Sequence, residues 1–224
     1  MSLNITHLDV LIEKIGILRD INLTIPGGEM ANLIGHNGAG KTTLIKAIMG
    51  LLPSAAGKIE FKGENLTRHA SHSRARMGIS YMPEDRRLIP ELTVSENMLM
   101  PAWANKIKDG EDRLKWVYSL MPEIADFGER KALQLSGGQQ KLVALGRALI
   151  PGRELILLDE PFEGVAPVLA MRLTSVIADL RGEGLTVLIA ESDDTHSADL
   201  VDATWRIERG SVSAGREHAS ASVD

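Results

Sequence analysis

The chain has 224 residues, 44% of them apolar, with a formal net charge of -5. That length and composition suit one globular domain, or a domain with a subdomain, and the acidic balance lacks the basic footprint of a nucleic-acid binder. Cysteine is absent, which excludes a disulfide frame and a thiolate metal site, and no apolar run reaches the roughly 18 residues of a membrane helix, so any membrane role is expected to be peripheral.

In chain order, Met30 to Ile34 reads as a buried strand running into a Gly-rich loop. Leu44, Ile48 and Leu51/Leu52 follow at helical spacing, and Lys58 to Phe61 reads as a strand. Thr93-Val94-Ser95-Glu96 matches a capping box, so a helix is expected from about residue 94. Residues 90 to 150 look mostly helical and form a candidate subdomain. Leu155 to Leu158 reads as a central strand. Pro167 and Gly182 suit the two ends of a helix whose apolar face is Leu169, Leu173, Val176, Ile177 and Leu180. Leu185 to Ala190 and Ala203 to Ile207 read as further strands. Buried strands alternating with helices predict an α/β fold with a largely parallel sheet. The domain is expected to span 1–210, and the polar, small-residue stretch 211–224 to be a loose tail.

Three motifs carry chemistry. Gly35-His36-Asn37-Gly38-Ala39-Gly40-Lys41-Thr42 fits the phosphate-loop pattern G-x-x-x-x-G-K-[ST], with a strand before it and a helix after it. Glycines let the backbone N–H groups curl toward phosphates, and the helix adds its positive end. Lys41 is expected to reach the β- and γ-phosphates and Thr42 to ligate Mg²⁺. The strand ending Leu157-Leu158-Asp159-Glu160 supplies two carboxylates, Asp159 for the metal and Glu160 as general base toward water. Leu135-Ser136-Gly137-Gly138-Gln139 precedes an apolar helix; Ser136 suits an N-cap, and the turn is also a candidate anion site.

The order and spacing of these motifs closely resemble the ABC ATPases, over the chain up to about residue 210. The resemblance implies a P-loop NTPase of ABC type: a RecA-like mixed sheet core with an antiparallel β subdomain and a helical subdomain. It implies ATP and Mg²⁺ as ligands, with Gly35 to Thr43 (Thr43 included) around the nucleotide. It also implies that two ATPase subunits pack head to tail, so that Leu135 to Gln139 serves the partner's ATP. A finer resemblance lies in Tyr81-Met82-Pro83-Glu84-Asp85-Arg86-Arg87-Leu88-Ile89-Pro90-Glu91-Leu92-Thr93-Val94 and in Asp159-Glu160-Pro161-Phe162-Glu163-Gly164-Val165-Ala166-Pro167. Both are similar to the ATP-binding subunits of branched-chain amino acid importers, a branch shared with urea and short-chain amide importers. This implies a non-identical ATPase partner, two membrane-spanning subunits, a periplasmic substrate-binding protein, and a place on the cytoplasmic face of the inner membrane.

The chain departs from the family pattern at several positions. Ile12 stands where relatives stack an aromatic residue on adenine, which predicts looser base selection. Glu84 stands where most place a metal-sensing glutamine. Phe162 replaces a small serine, either as an interface residue or as local packing, and Ala166 stands where many have aspartate. Met98, Leu99 and Trp103 either receive a membrane subunit or fill the core. After the Leu185 to Ala190 strand the chain reads Glu191-Ser192-Asp193-Asp194, and by the resemblance Ser192 occupies the position of the family's phosphate-sensing histidine. Asp193 or Asp194 is expected to cap a helix from about Thr195. Two alternatives remain at this point. One is a soluble ABC ATPase not tied to transport, although the long coiled-coil insertion or second ATPase half of such proteins is missing. The other is a weakly hydrolysing subunit that depends on a better-equipped partner.

Overall fold

The computed structural model describes residues 3–217. In chain order the elements are β1 (Leu3–Ile12), β2 (Ile15–Ile25), β3 (Met30–Ile34), α1 (Lys41–Ile48), β4 (Ala56–Phe61), β5 (Glu64–Asn65), α2 (Ser71–Arg76), β6 (Ile79–Met82), α3 (Val94–Asn105), α4 (Gly110–Leu120), α5 (Pro122–Ala125), α6 (Gly137–Leu149), β7 (Leu155–Asp159), α7 (Pro167–Gly182), β8 (Thr186–Glu191), β9 (Ala203–Glu208) and β10 (Ser211–Glu217). A six-stranded mixed sheet runs β10-β9-β3-β8-β7-β6, parallel except for β10. A second, antiparallel sheet runs β2-β1-β4-β5.

Strands β3, β7 and β8 are buried along their whole length, which is why they read as unbroken apolar runs rather than alternating ones. Alternation reappears in what each residue packs against. Ile156 and Leu158 of β7, with Val187 and Ile189 of β8, join a core shared with α3, α6 and α7. Leu155, Leu157, Leu188 and Ala190 join the opposite core, shared with α1 and the antiparallel sheet. This period of two decides the site. The next residues in phase, Asp159 and Ser192, fall on the α1 side, whereas Glu191 falls on the other.

The capping box at Thr93 and Glu96 starts α3 where the sequence predicts it. Pro167 opens α7 and Gly182 is its last residue; with Ala166 as N-cap, no side chain caps α7.

Three expectations change. Strands β1 and β2 are not apparent in the sequence pattern because bulges shift their register between Ile5 and Leu8 and again toward Val10, which breaks the alternation. The domain does not end at residue 210. Ser211 to Glu217 pairs antiparallel with β9, and Gly210 is held by its carbonyl to the Arg19 N–H (2.8 Å) and by its own N–H to Ala39 (3.0 Å). A polar edge strand carries little apolar signal, so composition alone makes it look like a tail; the rest of that predicted tail lies outside the described residues. Finally, residues 195–200 form turns, not a helix. Asp193 Oδ1 accepts from the Thr195 N–H (3.0 Å), and Ser197 is drawn inward to the sheet, so the segment is spent on turning back into β9.

Candidate active site

The candidate residues converge at the C-terminal ends of β3, β7 and β8, where open α/β sheets place their ligands. The loop from Gly35 to Gly40 joins β3 to α1. A Cβ at Gly35 would stand 2.3 Å from the carbonyl oxygen of Ile207, so only glycine fits this close approach to β9. Gly40 is the N-cap of α1 with φ 116°, and no side chain caps that helix start.

Lys41 is 5% exposed, and an ammonium buried to that extent needs acceptors. It donates to the carbonyls of Gly35 and of His36 (3.2 Å), and lies 3.1 Å from Glu160 Oε1. Thr42 Oγ1 donates to Asp159 Oδ1 (3.0 Å), and the Tyr81 hydroxyl donates to Asp159 Oδ2 (3.0 Å). Burial pushes the Asp159 carboxyl above the ordinary carboxylate range, against the pull of these two donors. Tyr81 lies on β6, whose strand pairs with β7 in parallel register, and the sequence pattern gave its hydroxyl no role; its one signal is a phenol at the end of a buried strand. Burial and the Asp159 carboxylate push the Tyr81 phenol up, so it remains a donor.

Ser192 meets Glu160 directly. Its N–H donates to Oε2 (3.3 Å), and its Oγ lies 3.0 Å from Oε1 and 3.0 Å from Asn37 Oδ1. One hydroxyl proton serves one acceptor at a time, so Ser192 is shared between Glu160 and the loop. It also lies 3.5 Å from Lys41 Nζ. Glu191 points the other way, 4% exposed, and accepts from Ser197 Oγ, which in turn accepts from Asn32 Nδ2 (2.7 Å). Burial raises the Glu191 pKa to about 8.

A pocket of about 240 Å³ is lined by Ile17, Asn37, Gly38, Gly40, Lys41, Thr42, Thr43, Glu84 and Glu160. Glu84 thus shares this pocket with the phosphate-loop pattern and Glu160. Ile12 does not line this pocket. The turn at Glu13 and Lys14, both with positive φ, leaves Ile12 39% exposed at the hairpin tip, and Ile17 provides the aliphatic wall. No cluster of three or more acidic or histidine side chains among the described residues could hold a metal unaided. One hydroxyl and one carboxylate beside a phosphate site do fit Mg²⁺, which takes few protein ligands and fills its shell with phosphate oxygens and water.

Leu135 to Gln139 lies on the helical side. Ser136 caps α6, accepting from the Gln139 N–H (3.3 Å), while Gln139 Oε1 accepts from the Ser136 N–H (3.0 Å). The loop carrying Glu84 is clamped on the same helix. Arg86 Nη1 donates to Gln140 Oε1 (3.1 Å), and Arg147 donates to the carbonyls of Arg86 and Arg87. Phe162 is buried, its ring 5.3 Å from that of His196, so it packs locally. Met98 and Leu99 are core residues, whereas Trp103 is 55% exposed.

Residues 18–163 match the family model described as ABC transporter. The chain is 36% identical to the high-affinity branched-chain amino acid transport ATP-binding protein BraG of Pseudomonas aeruginosa, over 89% of this chain and 85% of that protein. It is 34% identical to the lipopolysaccharide export system ATP-binding protein LptB of Haemophilus influenzae, over 88% and 83% of the two chains. A nucleotide-free ATP-binding cassette from an ABC transporter superimposes with a TM-score of 0.84 at 27% identity, over 97% of this chain and 92% of that one. The phosphate loop, the paired carboxylates and the capped Ser-Gly-Gly turn thus sit in a fold and a sequence context that agree, and the chain belongs to the ABC transporter family as an ATP-hydrolysing subunit.

Proposed function

We propose that the chain powers a membrane importer for branched-chain or related amino acids, with a non-identical ATPase partner, two membrane-spanning subunits and a periplasmic substrate-binding protein. The observation that carries this reading is the 36% identity to the Pseudomonas protein. The Tyr81 to Val94 stretch, which is held on α6 through Arg86, Arg87 and Arg147, supports it. Among the described residues no helix is long and apolar enough to cross a membrane. Exposed Trp103 and Leu133 are the side chains we assign to receiving a membrane subunit. The cytoplasmic face of the inner membrane is the expected place.

In this reading Lys41 and the loop N–H groups hold the ATP phosphates. Thr42 and Asp159 hold Mg²⁺, which neutralises phosphate charge when bound, and Glu84 faces the same pocket. Glu160 takes a proton from the attacking water. To do so its carboxylate must be released from Lys41, and phosphate oxygens are the acceptors that compete for that ammonium. Ser192 keeps Glu160 oriented in place of an imidazole. Leu135 to Gln139 acts on the partner's ATP.

The test is reconstitution in proteoliposomes with the membrane subunits, the partner ATPase and the substrate-binding protein that co-purify with the chain. ATP-dependent uptake of radiolabelled leucine, isoleucine or valine is expected. Hydrolysis without uptake of any of them would overturn the substrate assignment, and ATP-driven extraction of lipopolysaccharide would favour the second similarity instead.

A further inference from the structure

Lys141 is one of the largest fully buried side chains in the molecule, 1% exposed on α6, the helix opened by Ser136. Among the described residues its ammonium reaches no carboxylate at ion-pair distance. It donates instead to the main-chain carbonyl of Glu160, at 2.6 Å. Burying a long cationic side chain for one carbonyl is costly, so the contact must stabilise something that a neutral apolar residue would not.

Glu160 shows what that is. Its φ is 48°, the left-handed region, which strains a residue with a Cβ and persists only where neighbours hold it. Each group it can offer is held by a different element. Its N–H donates to the Ala190 carbonyl of β8 (2.9 Å). Its carboxylate meets Lys41 of α1 and Ser192 after β8. Its carbonyl accepts from Lys141 of α6 at 2.6 Å and, at the longer distance of 3.3 Å, from the Glu163 N–H of its own turn. Rotation of this one peptide unit would swing the carboxylate away from the pocket it lines.

We propose that Lys141 is a positioning residue for ATP hydrolysis: from the signature helix it fixes the carbonyl of Glu160 and thereby aims the carboxylate of the base. The proposal rests on the reading of Glu160 as that base. Three carboxylates, Glu163, Glu84 and Glu160, favour the ammonium form, while burial and the Arg86 guanidinium oppose it and win, so the Lys141 amine lies below its ordinary pKa. Either form can donate to the carbonyl, so the hydrogen bond does not depend on the charge.

The experiment uses the transporter assembled with its co-purifying subunits and compares the wild-type chain with Lys141→Met, which keeps length and removes the donor, and with Lys141→Arg, which keeps a donor. ATP hydrolysis and affinity for a fluorescent ATP analogue are measured for each. Lys141→Met is expected to lower kcat by about 10–100-fold, the range of a misplacement near 1 Å, with KM and analogue affinity within about twofold of wild type. Lys141→Arg is expected to recover most of kcat. Unchanged kcat in Lys141→Met would overturn the proposal, and so would parallel losses of kcat and affinity that Lys141→Arg fails to relieve. Should Lys141→Met not fold, Lys141→Leu, which also lacks a donor, is judged by the same two criteria. Wild-type turnover in the same assembly carrying Glu160→Gln would count against the base assignment, a result distinct from an active Lys141→Met.

Discussion

At the start of α1 the N-cap is Gly40, with no side chain to satisfy the first-turn N–H groups and no acidic residue in that turn. At the start of α6 the N-cap is Ser136, and the Ser136/Gln139 capping box closes that end from within. Both helix starts are glycine-rich, and both direct the positive end of a helix dipole outward. Only the first leaves its donors for an anion and brings a lysine beside them. The second meets its own needs, so a phosphate approaching it has to displace Ser136 or Gln139 contacts already made. The difference matches a chain that grips nucleotide with one end and offers the other to a partner.

The largest expected effect separates chemistry from binding at the α1 end. Glu160→Gln keeps the size and hydrogen-bonding shape of the side chain but loses the base, and should lower turnover by about 10²–10⁴-fold while ATP still binds. Turnover within a few-fold of wild type would show that the base lies elsewhere. Next, Lys41→Ala should weaken ATP-analogue binding by roughly 10–100-fold, the worth of a charge-assisted hydrogen bond, as read by titration. Ser136→Ala is the matching change at α6. It should cost about 1 kcal/mol of stability through the lost cap and leave nucleotide affinity of the isolated chain unchanged. Weaker binding in Ser136→Ala would erase the contrast between the two helix starts.

A further effect, on stability and not on turnover, concerns the face turned away from phosphate. With its pKa raised to about 8, Glu191 stays protonated in the folded chain where the unfolded chain ionises. The folded state therefore binds more protons between the ordinary carboxylate range and pH 8, and this group's contribution is lost as pH rises through that window. Glu191→Gln should raise Tm relative to wild type more at pH 8.5 than at pH 5. For a chain of this size each kcal/mol corresponds to about 2–4 °C. A Tm difference between the two proteins that does not vary with pH would mean that Glu191 is ionised in the fold.

The phosphate loop, the Asp159-Glu160 strand end and the Ser136 cap were all legible, because each is a local pattern of turn chemistry and apolar periodicity. So were α3 and α7, marked by a capping box and by Pro167 and Gly182. Tyr81, Ile17 and Lys141 were not, since each meets its partner only across the fold. The one trace Lys141 leaves is a cation spaced four residues before Leu145 and eight before Leu149, on a stripe that is otherwise apolar.

The sequence alone pointed to the family, to the phosphate-loop pattern and to the apolar runs that form β3, β7 and β8, because those depend on residues near one another in the chain. It placed Ser192 opposite a missing histidine but left open what the serine touches. Tertiary structure decided that. The alternation along β8 turns Ser192 toward Asn37, Lys41 and Glu160, while its neighbour Glu191 is buried against Ser197. A one-residue step in a strand reverses the face, so two adjacent polar residues acquire separate surroundings, one at the base and one in the core.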